Sequence, residues 1–167
     1  TLALCFVDYA RAGNTHLFVI GSSQSVNGGN SNYSVNLLGL GVRYDINRSL
    51  AIETRVFGNS DTVVRNTLDN EYEYVLSDSK IESSVDALLS TNYEISDSLT
   101  TSLKLGYSQT KVNSHWISRQ GFRFPTLQET AQTTTEQGII YGASIDLQLK
   151  KNWTASLEYM VLPDIVN

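Results

Sequence analysis

Eight ionisable residues, Arg43, Glu53, Arg55, Glu82, Asp86, Lys104, Asp146 and Glu158, fall on the polar faces of segments whose apolar residues recur at every second position. Cations interleaved with carboxylates in this way can line a narrow selective pore. Where water is excluded they form a paired salt-bridge core instead, because buried charges persist only with partners. The paired core is the expected arrangement, with the selectivity lining as its alternative.

Two further groups of side chains carry chemical potential. His115, flanked by Ser114, Trp116 and Ser118, has the makings of a general base for a serine, as in barrel enzymes that trim lipid at a membrane rim. That role needs a carboxylate to orient the imidazole, and Glu129 is the candidate. A loop histidine with no partner is the plainer reading, and no enzymatic activity is expected. Trp116, Arg119, Phe122, Arg123 and Phe124 mix aromatic rings with guanidinium groups. Displayed on a rigid scaffold, such residues anchor a protein or a sulfated or phosphorylated sugar; alternatively they lie against the rim or the lipid headgroups. His16 and His115 do not have metal-ligand spacing, and the lone Cys5 can build neither a disulfide framework nor a thiolate site, so no metal or cofactor is expected.

The elements that must position these groups are marked by a short turn that occurs three times: Ile46-Asn47-Arg48-Ser49-Leu50, Ile95-Ser96-Asp97-Ser98-Leu99 and Leu149-Lys150-Lys151-Asn152-Trp153. Apolar residues continue at period two away from each turn in both directions, the signature of β-strands with one apolar face. Leu38, Leu40, Val42, Tyr44 and Ile46 share one face, opposite Leu37, Gly39, Gly41, Arg43 and Asp45. If Ile46 faces Leu50, then Arg43 faces Glu53. The next hairpin puts Ile81, Val85, Ala87, Leu89, Tyr93 and Ile95 with Leu99, Thr101, Leu103, Leu105 and Tyr107. The last puts Ile139, Tyr141, Ala143, Ile145, Leu147 and Leu149 with Trp153, Ala155, Leu157, Tyr159 and Val161. A strand over 15–22 is too uniformly apolar to divide into faces. Residues 23–32 and 109–132 read as loops. The polar segment 58–79 reads as a connection that extends the strands beyond any membrane, since Glu71 to Val75 also alternates.

Composition bounds the class. The chain has 167 residues, 41% of them hydrophobic, and no run near the ~20 apolar residues of a helical span, which excludes a helical membrane protein. A net charge of −5 removes the basic footprint of a nucleic-acid binder. Residues 1–12 combine a short apolar run with Ala10-Arg11-Ala12, the back half of a secretory leader with cleavage after Ala12. The expected organisation is therefore a residual leader over 1–12 and one barrel domain over 13–167. Short and long connections alternate, so an eighth strand is expected after a third long loop that begins at Leu162-Pro163-Asp164.

Alternation alone does not say which face is wet. The polar face is rich in small residues, among them Gly39, Gly41, Ser84, Ser90, Ser102, Gly106, Gly142, Ser144 and Ser156. The interior of an eight-stranded barrel is only wide enough for side chains, whereas a solvated outer face has no such size limit. The polar face is thus expected inside. Tyr44, Tyr93 and Trp153 sit on the apolar face near the short turns, and Tyr107, Tyr141 and Tyr159 on the same face toward the long loops, as in two aromatic girdles. If Trp153 faces Leu149, the two levels stand about 20 Å apart at a ~40° tilt.

Short turns bounded by Ile or Leu, long polar loops on the other side, Leu38-Gly39-Leu40-Gly41-Val42-Arg43-Tyr44, and Ala155-Ser156-Leu157-Glu158-Tyr159 together resemble the opacity-protein and outer-membrane-protein-A type of small barrel. That resemblance implies a bacterial outer-membrane location, periplasmic short turns and surface loops used in adhesion, immune evasion or envelope anchoring. The expectation is an all-β, antiparallel up-and-down transmembrane barrel of eight-stranded type with about seven strands in this chain. Its expected partners are outer-membrane lipid and, through the long loops, a host or envelope protein or glycan. A narrow channel for small solutes and a soluble lipocalin-like barrel are the alternatives.

Overall fold

Period-two alternation leaves each segment one course, to pair its backbone groups with a neighbour and divide its side chains between two faces. The computed structural model describes residues 2–8, 10–12, 14–28, 31–58, 64–69, 73–120, 126–150 and 153–161. They form strands β1 (Leu2–Asp8), β2 (Ala10–Ala12), β3 (Thr15–Gly28), β4 (Ser31–Asn47), β5 (Leu50–Phe57), β6 (Val64–Asp69), β7 (Glu73–Ser96), β8 (Leu99–Gln120), β9 (Thr126–Lys150) and β10 (Trp153–Val161). The order across the sheet is β1-β10-β9-β8-β7-β5-β4-β3-β2, and Leu2 of β1 also pairs with Ser23 of β3, which brings the two ends of the sheet together. The architecture is all-β, an antiparallel up-and-down barrel of eight-stranded type. Seven strands, β3, β4, β5, β7, β8, β9 and β10, follow one another as a meander.

The segment expected as a leader takes the eighth place. Leu2 to Asp8 pairs residue by residue with Tyr159 to Trp153, and Ala10 to Ala12 continues on β3 opposite Leu17 to Thr15. The run that reads as a leader core also alternates Leu2, Leu4 and Phe6 with Ala3, Cys5 and Val7. Paired with β10, it satisfies backbone groups that would otherwise line an open edge. Among the described residues, the second neighbour of β10 is β1.

Strands also run where composition reads as loop. β3 and β4 continue to Gly28 and Ser31, with Gln24 opposite Val35 and Val26 opposite Tyr33. β8 and β9 remain paired from Gln109 opposite Gln137 to Gln120 opposite Thr126. Ser, Asn, Gln and Thr on both faces erase the alternation signal, but threonine retains its preference for the extended backbone. β6 pairs with β7 from Val64 opposite Ser79 to Asp69 opposite Tyr74, so the 58–79 connection does extend the strands.

Each short turn carries a one-residue irregularity on the strand entering it. Asn47, not Ile46, faces Leu50; Ser96 faces Leu99; and Lys150, not Leu149, faces Trp153. Arg43 still faces Glu53, because the shift is confined to the turn. Asn47 Oδ1 accepts the Ser49 N–H at 2.8 Å, closing the first turn on itself. Turn carbonyls also accept from the next strand: Asp45 N–H donates to Asn14 O at 2.9 Å, and Asn92 and Gln148 donate to Ser49 and Ser98 O at 2.8 Å.

Candidate functional site

The two faces of the sheet are inverted relative to a water-soluble protein. Leu38, Leu40, Tyr93, Leu103, Ile139 and Leu149 are each more than half exposed on the outer face. Glu53, Arg55, Lys104 and Glu158 are each less than 7% exposed in the lumen. A lipocalin-like barrel needs the opposite arrangement, and these faces exclude it.

β5 supplies Glu53 and Arg55 two residues apart, hence on one face; β8 supplies Lys104 and β10 supplies Glu158. Arg55 donates through Nη1 to Glu158 Oε1, and through Nη2 to Glu158 Oε2 at 2.8 Å and Glu53 Oε2 at 2.6 Å. Lys104 Nζ donates to the same two carboxylates, at 2.6 Å to Glu158 and 3.1 Å to Glu53. Two cations and two carboxylates thus form a closed, neutral ring. Such pairing offsets a desolvation cost of several kcal/mol, on the order of magnitude for each buried ion. Arg43 extends the ring toward the short turns, reaching Glu53 at 3.1 Å and Asp45 at 2.9 Å, and Asp45 also binds His16 Nε2 at 2.8 Å.

The remaining charges occupy separate places. Asp86 is buried on the long-connection side of the ring and accepts from Ser108 Oγ at 2.6 Å. Asp146, near the short turns, accepts from Ser156 Oγ. Glu82 is not in the lumen. Ile81 faces Val112 while Ser83 faces Lys111, so Glu82 is the extra residue of a bulge and is exposed, whereas Ile81, expected on the outer face, is buried. One inserted residue reverses the face of everything beyond it.

Small residues make room for the ring. A Cβ on Gly41 would lie 2.2 Å from the Phe18 ring, and the Arg55 guanidinium carbon stands 5.9 Å from the centre of that ring. A Cβ on Gly39 would meet Val56 O at 2.6 Å. Gly41 therefore lets the Phe18 ring lie against bare backbone, with the Arg55 guanidinium over that ring. On the long-connection side, Leu88, Ile140 and Met160 form a buried apolar cluster.

Above the apolar belt, His115 Nε2 meets Glu129 Oε1 at 2.7 Å, so the histidine has the carboxylate that a general base would need. No serine of β8 shares its face. Ser114 and Ser118 alternate to the other side of β8, and Ser114 Oγ is bonded to Ser79 Oγ at 2.9 Å. Directly opposite His115 stand Asp78 and Ala131.

Two solved structures of Ail, the attachment invasion locus protein of Yersinia pestis, are similar to this chain. One, in complex with the heparin analogue sucrose octasulfate, has a TM-score of 0.47 and 12% identity, covering 88% of this chain and 97% of that one. The other has a TM-score of 0.46 and 14% identity, covering 90% of this chain and all of that one, 100%. No family model and no curated protein matches the sequence.

Of the aromatic residues, Tyr44, Tyr93, Tyr107, Tyr141 and Tyr159 stand exposed on the outer face. Trp116 is half-buried on the lumen side of the wall, opposite Ser77 and Thr130. Phe122, Arg123 and Phe124 lie outside the described residues, as do the side chains of Arg119 and Trp153. Among the described residues no group of three His, Cys, Asp or Glu side chains could hold a metal ion. The sequence reading missed His16, Phe18 and Asp45 as parts of the site. The signal lay in the register: once β3 pairs with β4, His16 stands opposite Arg43 and Phe18 opposite Gly41.

Proposed function

We propose that this chain is a non-enzymatic bacterial outer-membrane barrel, plugged by its interior ion ring, whose tall strand wall meets a host or envelope protein or glycan. The observation that carries this reading is the inversion of the two faces. Along β9 the exposed belt runs from Ile139 to Leu149. That is about ten residues, or about 25 Å vertically at ~3.3 Å per residue and a ~40° tilt. An outer-membrane barrel presents an apolar band of about that height. Above Ile139 the same face of β9 turns polar, with Gln137, Thr135 and Thr133 exposed.

β7, β8 and β9 have 24, 22 and 25 residues. A tilted span needs only about 9–11. The excess forms a polar wall on the long-connection side, the position of surface loops in the opacity-type barrels that the sequence resembles. Trp116, half-buried on the lumen side of that wall and four residues from the end of β8, is its proposed anchor for a partner.

The test is the folding of the chain in detergent or lipid against plain buffer. A compact form that appears only with detergent, and that migrates faster unheated than heated on a denaturing gel, is the expected result. A folded monomer in plain buffer would end the membrane reading. Binding of the refolded protein to immobilised sulfated glycan and to candidate host proteins, compared with a Trp116→Ala variant, then tests the wall.

A further inference from the structure

The short-turn mouth of the barrel opens into a polar cup of about 540 Å³. Its walls carry opposite charge. His16, Arg43 and Arg48 stand with Asp45 on the β3–β4 side, which is net positive through Arg48, and Glu94, Asp97 and Asp146 on the side of β7, its turn and β9. Arg43, His16 and Asp45 are engaged with one another, whereas Arg48, Glu94 and Asp97 are exposed and make no ion pair among the described residues. The cup is blind, because the lumen beyond it is filled by the buried ring of Glu53, Arg55, Lys104 and Glu158.

Four carboxamides, Asn14, Asn47, Asn92 and Gln148, also line the cup. Each offers both a donor and an acceptor, the complement of a peptide group. Asn47 commits its oxygen to the Ser49 N–H, and Asn92 commits its oxygen to the hydroxyls of Ser90 and Ser102. Their amino groups are left to donate. The rim bonds from Asp45, Asn92 and Gln148 to neighbouring turn carbonyls hold the lining in place before any ligand arrives, which lowers the ordering cost of binding. A volume of this size is within the usual range for small ligands, roughly 300–1,000 Å³.

We propose that this cup binds a short peptide with free ends, its ammonium against Glu94 and Asp97, its carboxylate against Arg48, and its amides on Asn47 and Asn92. The assignment stands on the mouth itself and does not depend on what the opposite wall binds. Two sources share this chemistry, ordinary L-peptides and the D-alanine-containing peptides of a cell wall.

The full chain, refolded in a non-ionic detergent, is titrated with L-trialanine and with D-trialanine by calorimetry and by amide chemical shifts. Saturable binding is expected, with shifts confined to the short-turn mouth; the tighter configuration identifies the source. N-acetyl trialanine amide should bind at least tenfold more weakly. Arg48→Gln and Asp97→Asn, both in exposed turns, should each weaken binding by about fivefold, the upper range for a solvent-exposed ion pair, while leaving gel migration unchanged. Equal binding of the blocked peptide, an absence of saturation with both configurations, or unaltered affinity in both variants would overturn the proposal.

Discussion

Arg55 and Glu158 stand four strand positions apart along the sheet, yet they form a two-pronged ion pair. In a flat sheet the same residues would be about 19 Å apart at ~4.8 Å per strand. Counted the other way, through β1, β3 and β4, the separation is also four strands, so the pair joins opposite walls of the barrel. Lys104, two strands from each, completes the ring.

Removing one member of the ring leaves uncompensated buried charge. Arg55→Ala should destabilise the folded barrel by about 3–5 kcal/mol, the range for breaking a buried pair. Replacing Arg55 with Met and Glu158 with Leu together should cost less than Arg55→Ala alone, because Lys104 and Glu53 can still pair. Denaturant titration of the detergent-refolded proteins measures both.

The interior glycines should differ in tolerance according to what their added carbon meets. At Gly41 the obstacle is the Phe18 ring at 2.2 Å, and at Gly106 it is the backbone oxygen of Ala87 at 2.0 Å. Gly41→Ala should cost about 1–3 kcal/mol as an overpacked site and be partly relieved by Phe18→Leu. Gly106→Ala should cost more, and no side-chain truncation should rescue it. The same unfolding titrations, run on the single and double variants, check this contrast.

A charge placed on the outer face should report the edge of the belt. Leu103→Arg, in the exposed apolar face of β8 and opposite Ala143 near the middle of the belt, should cost about 2–4 kcal/mol, the range for an arginine at the bilayer midplane. Gln137→Arg, on the same outer face of β9 but beyond Ile139, should change stability by less than about 0.5 kcal/mol. Folding yield into lipid vesicles distinguishes the two variants.

Conductance tests the plug. With Glu53, Arg55, Lys104 and Glu158 paired and buried, purified protein in a planar bilayer should show no steady single-channel openings. Regular openings by the native protein would favour the narrow-channel alternative.

The His115–Glu129 pair is expected to be catalytically silent, since neither neighbouring serine shares its face. Purified protein incubated with outer-membrane lipid should release no fatty acid above a protein-free control, and His115→Ala should behave identically. Release that is abolished by the substitution would restore the enzyme reading.

The sequence by itself determined what depends on near neighbours along the chain. Period-two alternation identified the strands, Leu38 to Ile46 marked one outer face, and the short turn set Arg43 opposite Glu53 even though a bulge moves Ile46 out of register. Small residues on the polar face indicated which side had to be inside. Only the tertiary structure decided the rest. The bulge at Glu82 reverses a face without altering local composition. The Ser- and Thr-rich stretches of β8 and β9 are strands because they have partners, not because they alternate. Leu2 to Asp8 joins the sheet because β10 offers unpaired backbone groups. Arg55 meets Glu158 because closing a tilted sheet brings together residues that neither sequence distance nor strand pairing relates.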